Sequence, residues 1–142
     1  MTENYMDRFS NPAEFIRSEI LANRGSNNVV DKAELLKVCG WKAGDEERLD
    51  NLTKAQILDR IVDQYGPEAY SMFPVGVSSI CIQMKFGITN KDVLKLAKAG
   101  ILTVTGERKF RKFGKYLYAK LYSAYDYFRL TISDIQKHLA EL

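Results

Sequence analysis

Apolar residues recur at three- and four-residue steps through most of the chain, and this pattern predicts short helices. Phe15, Ile16, Ile20 and Leu21 form one stripe, opened by Asn11-Pro12-Ala13-Glu14, an N-cap residue followed by Pro at the first helical position and Glu in the first turn. The polar run 23–28 is a loop. A second helix starts at Asp31, with Glu34 completing a capping box, puts Leu35, Leu36 and Val38 inward, and ends at Gly40; Trp41 then packs down or anchors the next loop. Thr53-Lys54-Ala55-Gln56 is another capping box and opens a helix with Ile57, Leu58, Ile61 and Val62 on one face, stopped by Gly66. Pro67 begins a short helical piece through Ala69, Tyr70 and Met72, and Pro74-Val75-Gly76 marks a subdomain boundary.

Beyond that point the periodicity changes. Residues 78–86 predict a helix burying Ile80, Cys81 and Met84; Gly87-Ile88-Thr89 is a turn; Thr89 with Asp92 caps a helix over 90–99, ended by Gly100. Alternation over 102–105 and 116–122 predicts a β-hairpin turning near residues 112–115 at Gly114. Of Phe110, Phe113, Tyr116, Tyr118 and Tyr122, at least half are expected in the core. Ser123 with Asp126 returns the chain to helix, and a last amphipathic helix over 133–142 uses Ile132, Ile135, Leu139 and Leu142. The expected architecture is mainly α with one β-hairpin: a small helical subdomain over 1–75 and a helix-turn-helix with a wing and a C-terminal helix over 76–142.

Composition fits an ordinary folded protein, with 142 residues, 46% hydrophobic and 27% charged. No apolar run approaches membrane-spanning length, and residues 1–10 are polar, so a cytoplasmic protein is expected. Cys39 and Cys81 read as separate, reduced, buried thiols. The net charge of +3 conceals a division. Residues 1–80 hold nine Lys/Arg against thirteen Asp/Glu, and residues 81–142 hold twelve against five. One half is built to meet a polyanion.

The basic residues are placed as well as numerous. At roughly 100° per residue, Lys91, Lys95 and Lys98 fall within an arc of about 60° on the helix over 90–99, opposite Val93, Leu96 and Ala97. A short helix and a Gly-containing turn precede it, which is helix-turn-helix spacing. The hairpin after it, residues 108–120, carries Arg108, Lys109, Arg111, Lys112, Lys115 and Lys120, with Phe110, Phe113, Tyr116 and Tyr118 interleaved. A lysine ridge and a basic hairpin on adjoining elements can contact phosphates on both sides of one groove.

Phe86-Gly87-Ile88-Thr89, then Val93 to Leu96, Ala99-Gly100-Ile101-Leu102, the basic hairpin, and Leu121-Tyr122 with Asp126 and Phe128 together resemble the MerR/excisionase-like winged helix-turn-helix. The resemblance spans about residues 77–130. It implies that Asn90, Lys91, Lys95 and Lys98 face a DNA groove and that Arg108, Lys109, Arg111 and Lys112 are wing contacts. This wing is longer and more aromatic than is usual in that family. The N-terminal half, over 31–40 and 52–65, is similar to two-helix SAP and Rho-N-like modules, chiefly through Leu52-Thr53-Lys54-Ala55-Gln56-Ile57-Leu58.

Other chemistry is thinly represented. The lone histidine, His138, is remote from both cysteines, and zinc needs several such ligands. The acidic run Asp45, Glu46, Glu47 and Asp50 lacks EF-hand spacing and reads as a solvated loop. Residues 106–115 do not fit a phosphate-binding P-loop. The expectation is a non-enzymatic binding protein, without cofactor or metal, whose partner is nucleic acid, duplex DNA above all. A homodimer through the C-terminal helix is a further expectation. Two alternatives stand beside it: a mobile-element-encoded, anti-CRISPR-like inhibitor that meets a protein partner, and an RNA binder that stacks bases on exposed aromatics.

Overall fold

A computed structural model describes residues 4–22, Leu35 and residues 52–142. The expected helix over 31–40 apart from Leu35, together with Cys39, Trp41, the loop 23–28 and the acidic run 45–50, lies outside the described residues. Leu35 is helical and fully buried.

The architecture is mainly helical with one three-stranded antiparallel sheet. A 3-10 turn, Tyr5–Arg8, precedes α1, Pro12–Leu21, and α2, Lys54–Tyr65, is followed by a second 3-10 segment, Pro67–Met72. Then come β1 (Val77–Ser78), α3 (Ser79–Phe86), α4 (Asn90–Lys98), β2 (Val104–Lys112), β3 (Lys115–Tyr122), α5 (Ala124–Arg129) and α6 (Ile132–Glu141). Helix starts follow local chemistry. Asn11 accepts from the Glu14 N–H, and reciprocal capping boxes open α2 at Thr53/Gln56, α4 at Thr89/Asp92 and α6 at Thr131/Asp134. Gly66 and Gly87 end α2 and α3 at positive φ, where a Cβ would be strained.

One buried cluster runs from Met6, Phe15 and Ile20 through Ile57, Leu58 and Ile61 to Ile82, Val93, Leu96, Tyr127 and Ile135. At the segment expected as a boundary, 74–76, Val75 and Gly76 are buried, as is Val77 after them. At the amino end, Asn4 is buried and donates to the Cys81 carbonyl and the Tyr127 hydroxyl, both at 3.1 Å. Tyr5 donates to the buried Glu19 carboxylate at 2.8 Å.

These phenols respond to alkali. Burial, with the Glu19 hydrogen bond next, pushes Tyr5 up to about 12, and burial pushes Tyr127 up to about 12. The folded state therefore holds both protons more tightly than the unfolded chain, whose phenols titrate near 10. Their stabilisation is complete below pH 10 and is lost as pH rises through 12. Urea midpoints should fall between those pH values, and less steeply in Tyr127→Phe; a flat midpoint in the wild type would contradict the assignment.

Three expectations need correction. In α3, Ile80 and Met84 point outward and Cys81 is half-buried, whereas Ile82 and Phe86 fill the core. Apolar residues lie all round this helix, so periodicity does not select a face; packing against α4, α6 and the sheet does. Among the five hairpin aromatics, Tyr122 alone is buried, while Phe110 is half-buried and Phe113, Tyr116 and Tyr118 are exposed. The core beneath the sheet ends at Leu121 and Tyr122, and the hairpin continues past it. Its first strand also begins later than the alternation suggests, at Val104, because the Thr103 N–H is taken by the Asp126 carboxylate.

Candidate nucleic-acid interface

The hairpin stem is anchored at one end. β3 lies between β1 and β2, but β1 reaches only Leu121 and Tyr122. A bulge at Thr105 lets its hydroxyl donate to the Val75 and Leu121 carbonyls. Gly76 lies against this stem. A Cβ there would collide with Thr105 Oγ1 and stand 2.7 Å from the Tyr122 carbonyl oxygen and 2.9 Å from Leu121 Cβ. From Gly106 outward the two strands pair in unbroken register to Lys112↔Lys115, and Phe113-Gly114 forms the two-residue turn.

That register divides the cations between two faces, because directly opposed residues share a face and neighbours alternate. Arg108, Lys112 and Lys115 lie on the inner face with Phe110 and Leu117. Lys109, Arg111 and Lys120 lie on the outer face with Tyr116 and Tyr118. Outside, Lys109 Nζ sits 4.2 Å from the Tyr116 ring centroid, and the Arg111 guanidinium 5.9 Å from it. Inside, Arg108 lies over Phe110, and its Nε–H is enclosed without a hydrogen-bond partner among the described residues.

The inner face looks across a cleft of about 490 Å3. One wall is Ser78 of β1 with Ser79, Ile80, Asn90 and Leu94 of the helices, and the hairpin wall is formed by Arg108 and Phe110 on β2 and by the 118–122 stretch of β3, Tyr118 and Lys120 included. Ile80 is 67% exposed and Leu94 46%, so the floor is apolar and open. Asn90 is held in place: Gln83 donates to Ser79 Oγ at 3.0 Å, and Ser79 donates to Asn90 Oδ1 at 2.6 Å. Sequence periodicity had no means of finding Ile80 and Leu94, which lie beside the cations only once the hairpin folds back.

Asn90 thus stands at the cleft. Lys91, Lys95 and Lys98 are exposed on α4, with Val93 and Leu96 buried behind them. Lys95 and Lys98 border a separate depression with Ala99 and Leu142, where α6 packs beside α4. Lys85, also in the basic half, serves packing instead. Its ammonium donates to the Tyr127 carbonyl and lies 4.4 Å from that ring, and burial pulls its pKa down.

No protein family, curated protein or solved structure matches the chain. Among the described residues the ion pairs are Arg17–Asp59 and Arg129–Asp126, and neither involves a cation of α4 or of the hairpin. No group of three His, Cys, Asp or Glu side chains among them could hold a metal, and no helix among them is long and apolar enough to cross a membrane.

Proposed function

We propose that the chain is a nucleic-acid-binding protein of winged helix-turn-helix type that grips duplex DNA. The carrying observation is the set of nine exposed or half-exposed cations on two adjoining elements, Lys91, Lys95 and Lys98 on α4 and six on the hairpin, none ion-paired among the described residues. The order α3, the Gly87 turn, α4 and a long hairpin supports the reading. In it α4 enters the major groove with Asn90 and Lys91 foremost, and the hairpin follows the backbone into the adjoining groove. Ile80 and Leu94 face sugars and thymine methyls at the centre.

A second reading, single-stranded DNA or RNA, is favoured by Tyr116 and Tyr118, both exposed on the outer face between Lys109, Arg111 and Lys120. Competition among duplex DNA, single-stranded DNA and RNA at two salt concentrations separates the two. Duplex should bind tightest, with log K falling by about 0.9 per contacted phosphate for each tenfold rise in salt. Tightest binding to a single strand would favour the second reading, and no binding to any of the three would overturn both.

A further inference from the structure

The residue at the hairpin tip is at odds with its own turn. A two-residue loop with positive φ at both central positions is the site for Asn-Gly or Asp-Gly. Gly114, at φ 74°, meets that demand, but the residue before it is Phe113, at φ 53°. A phenylalanine has no short polar side chain with which to offset the left-handed backbone. It gains little from packing either: it is 91% exposed, the most exposed of the large apolar residues described, and its ring contact is with the Lys112 ammonium. Local conformation and burial both disfavour Phe113, so what holds it there lies outside the fold.

Its surroundings indicate what that is. Lys112 and Lys115 are paired across the last rung of the ladder, directly behind the ring, and Lys112 Nζ lies 5.5 Å from its centroid. An apolar ring is thus presented between two cations at the end of an arm that extends six residues beyond Gly106, about 20 Å at strand rise. That reach exceeds the depth of a DNA groove, roughly 8 Å. We propose that Phe113 is a wedge that enters between adjacent base pairs of duplex DNA, with Lys112 and Lys115 neutralising the flanking phosphates, so that the bound duplex is kinked. The inference rests on the duplex reading above and adds to it a deformation of the DNA and a preference for easily unstacked steps such as TpA.

The test uses the full chain with a short A·T-rich duplex containing TpA steps, end-labelled with a donor and an acceptor dye and carrying 2-aminopurine at one step. Wild type should shorten the end-to-end distance, with a kink on the order of 20–90°, and raise 2-aminopurine fluorescence. Phe113→Leu, which keeps an apolar wedge, should retain both signals. Phe113→Asn suits the turn and should match or exceed the wild-type Tm, yet lose both signals and bind about tenfold more weakly. Equal bending by Phe113→Asn, or a lower Tm in that variant, overturns the wedge while leaving duplex binding intact. Absence of duplex binding by the wild type overturns the wedge and the duplex reading together.

Discussion

Replacing Arg108, Lys109, Arg111 and Lys112 together with alanine is expected to abolish binding to duplex DNA without unfolding the protein. These residues lie beyond the point where the core ends; Lys109, Arg111 and Lys112 meet rings of the hairpin itself, and Arg108, half-buried over Phe110, also lines the cleft. Little packing is lost with them. Each phosphate contact contributes about 0.9 to the slope of log K against log salt, so loss of all four should flatten that slope by about 3.6. Affinity near physiological salt should fall by about a hundredfold or more. Because the two faces of the hairpin divide the four, Arg108 with Lys112 and Lys109 with Arg111 can be removed as pairs. Inward approach of the duplex, towards α4, requires the first pair to cost more. Anisotropy titrations over a salt series, with helical circular dichroism as the control, measure both effects; undiminished affinity in the fourfold variant would sink the proposal.

Gly76→Ala is expected to destabilise the fold markedly. φ at Gly76 is not positive, so the backbone accepts alanine, and the obstacle is space. The new methyl meets a threonine hydroxyl, a backbone carbonyl and a Cβ, and the last two cannot rotate away. Overpacking of this kind costs about 3 kcal/mol, at the upper end of the usual range. For a chain of this size that corresponds to a fall in Tm of about 10 °C. Scanning calorimetry checks it. A loss below about 2 °C, the size expected of an ordinary surface substitution, would mean that the segment 74–77 yields easily. Since Gly76 backs the stem, the variant should also bind DNA more weakly at temperatures where it remains folded.

Much of this was legible in the residues because the controlling interactions are local. A capping box is complete within four residues, so Thr53/Gln56 and Thr89/Asp92 could be read without knowing what else is near, as could the Ser123 hydroxyl that accepts from the Asp126 N–H. The hairpin turn was equally local, set by Gly114 between alternating runs. What escaped depends on distant partners. β1 is two residues long, and its pairing with Leu121 and Tyr122 lies more than forty positions away. The buried face of α3 was chosen by neighbours, and the contact of Lys85 with Tyr127 joins residues 42 positions apart. The cations of the candidate interface were visible as a list, but their division into two faces follows only when the register is fixed from the turn outward.

The projection of the hairpin past Leu121 has a bearing on how such a protein changes over generations. Substitutions in the body are judged first by whether the chain still folds, since twenty-odd side chains there share one interior. Between residues 109 and 118, ladder pairing asks little of the side chains beyond strand compatibility and a glycine at the turn. That arm can accumulate, exchange or lose rings and charges while the scaffold stands, so recognition can drift across ligands faster than the architecture that carries it.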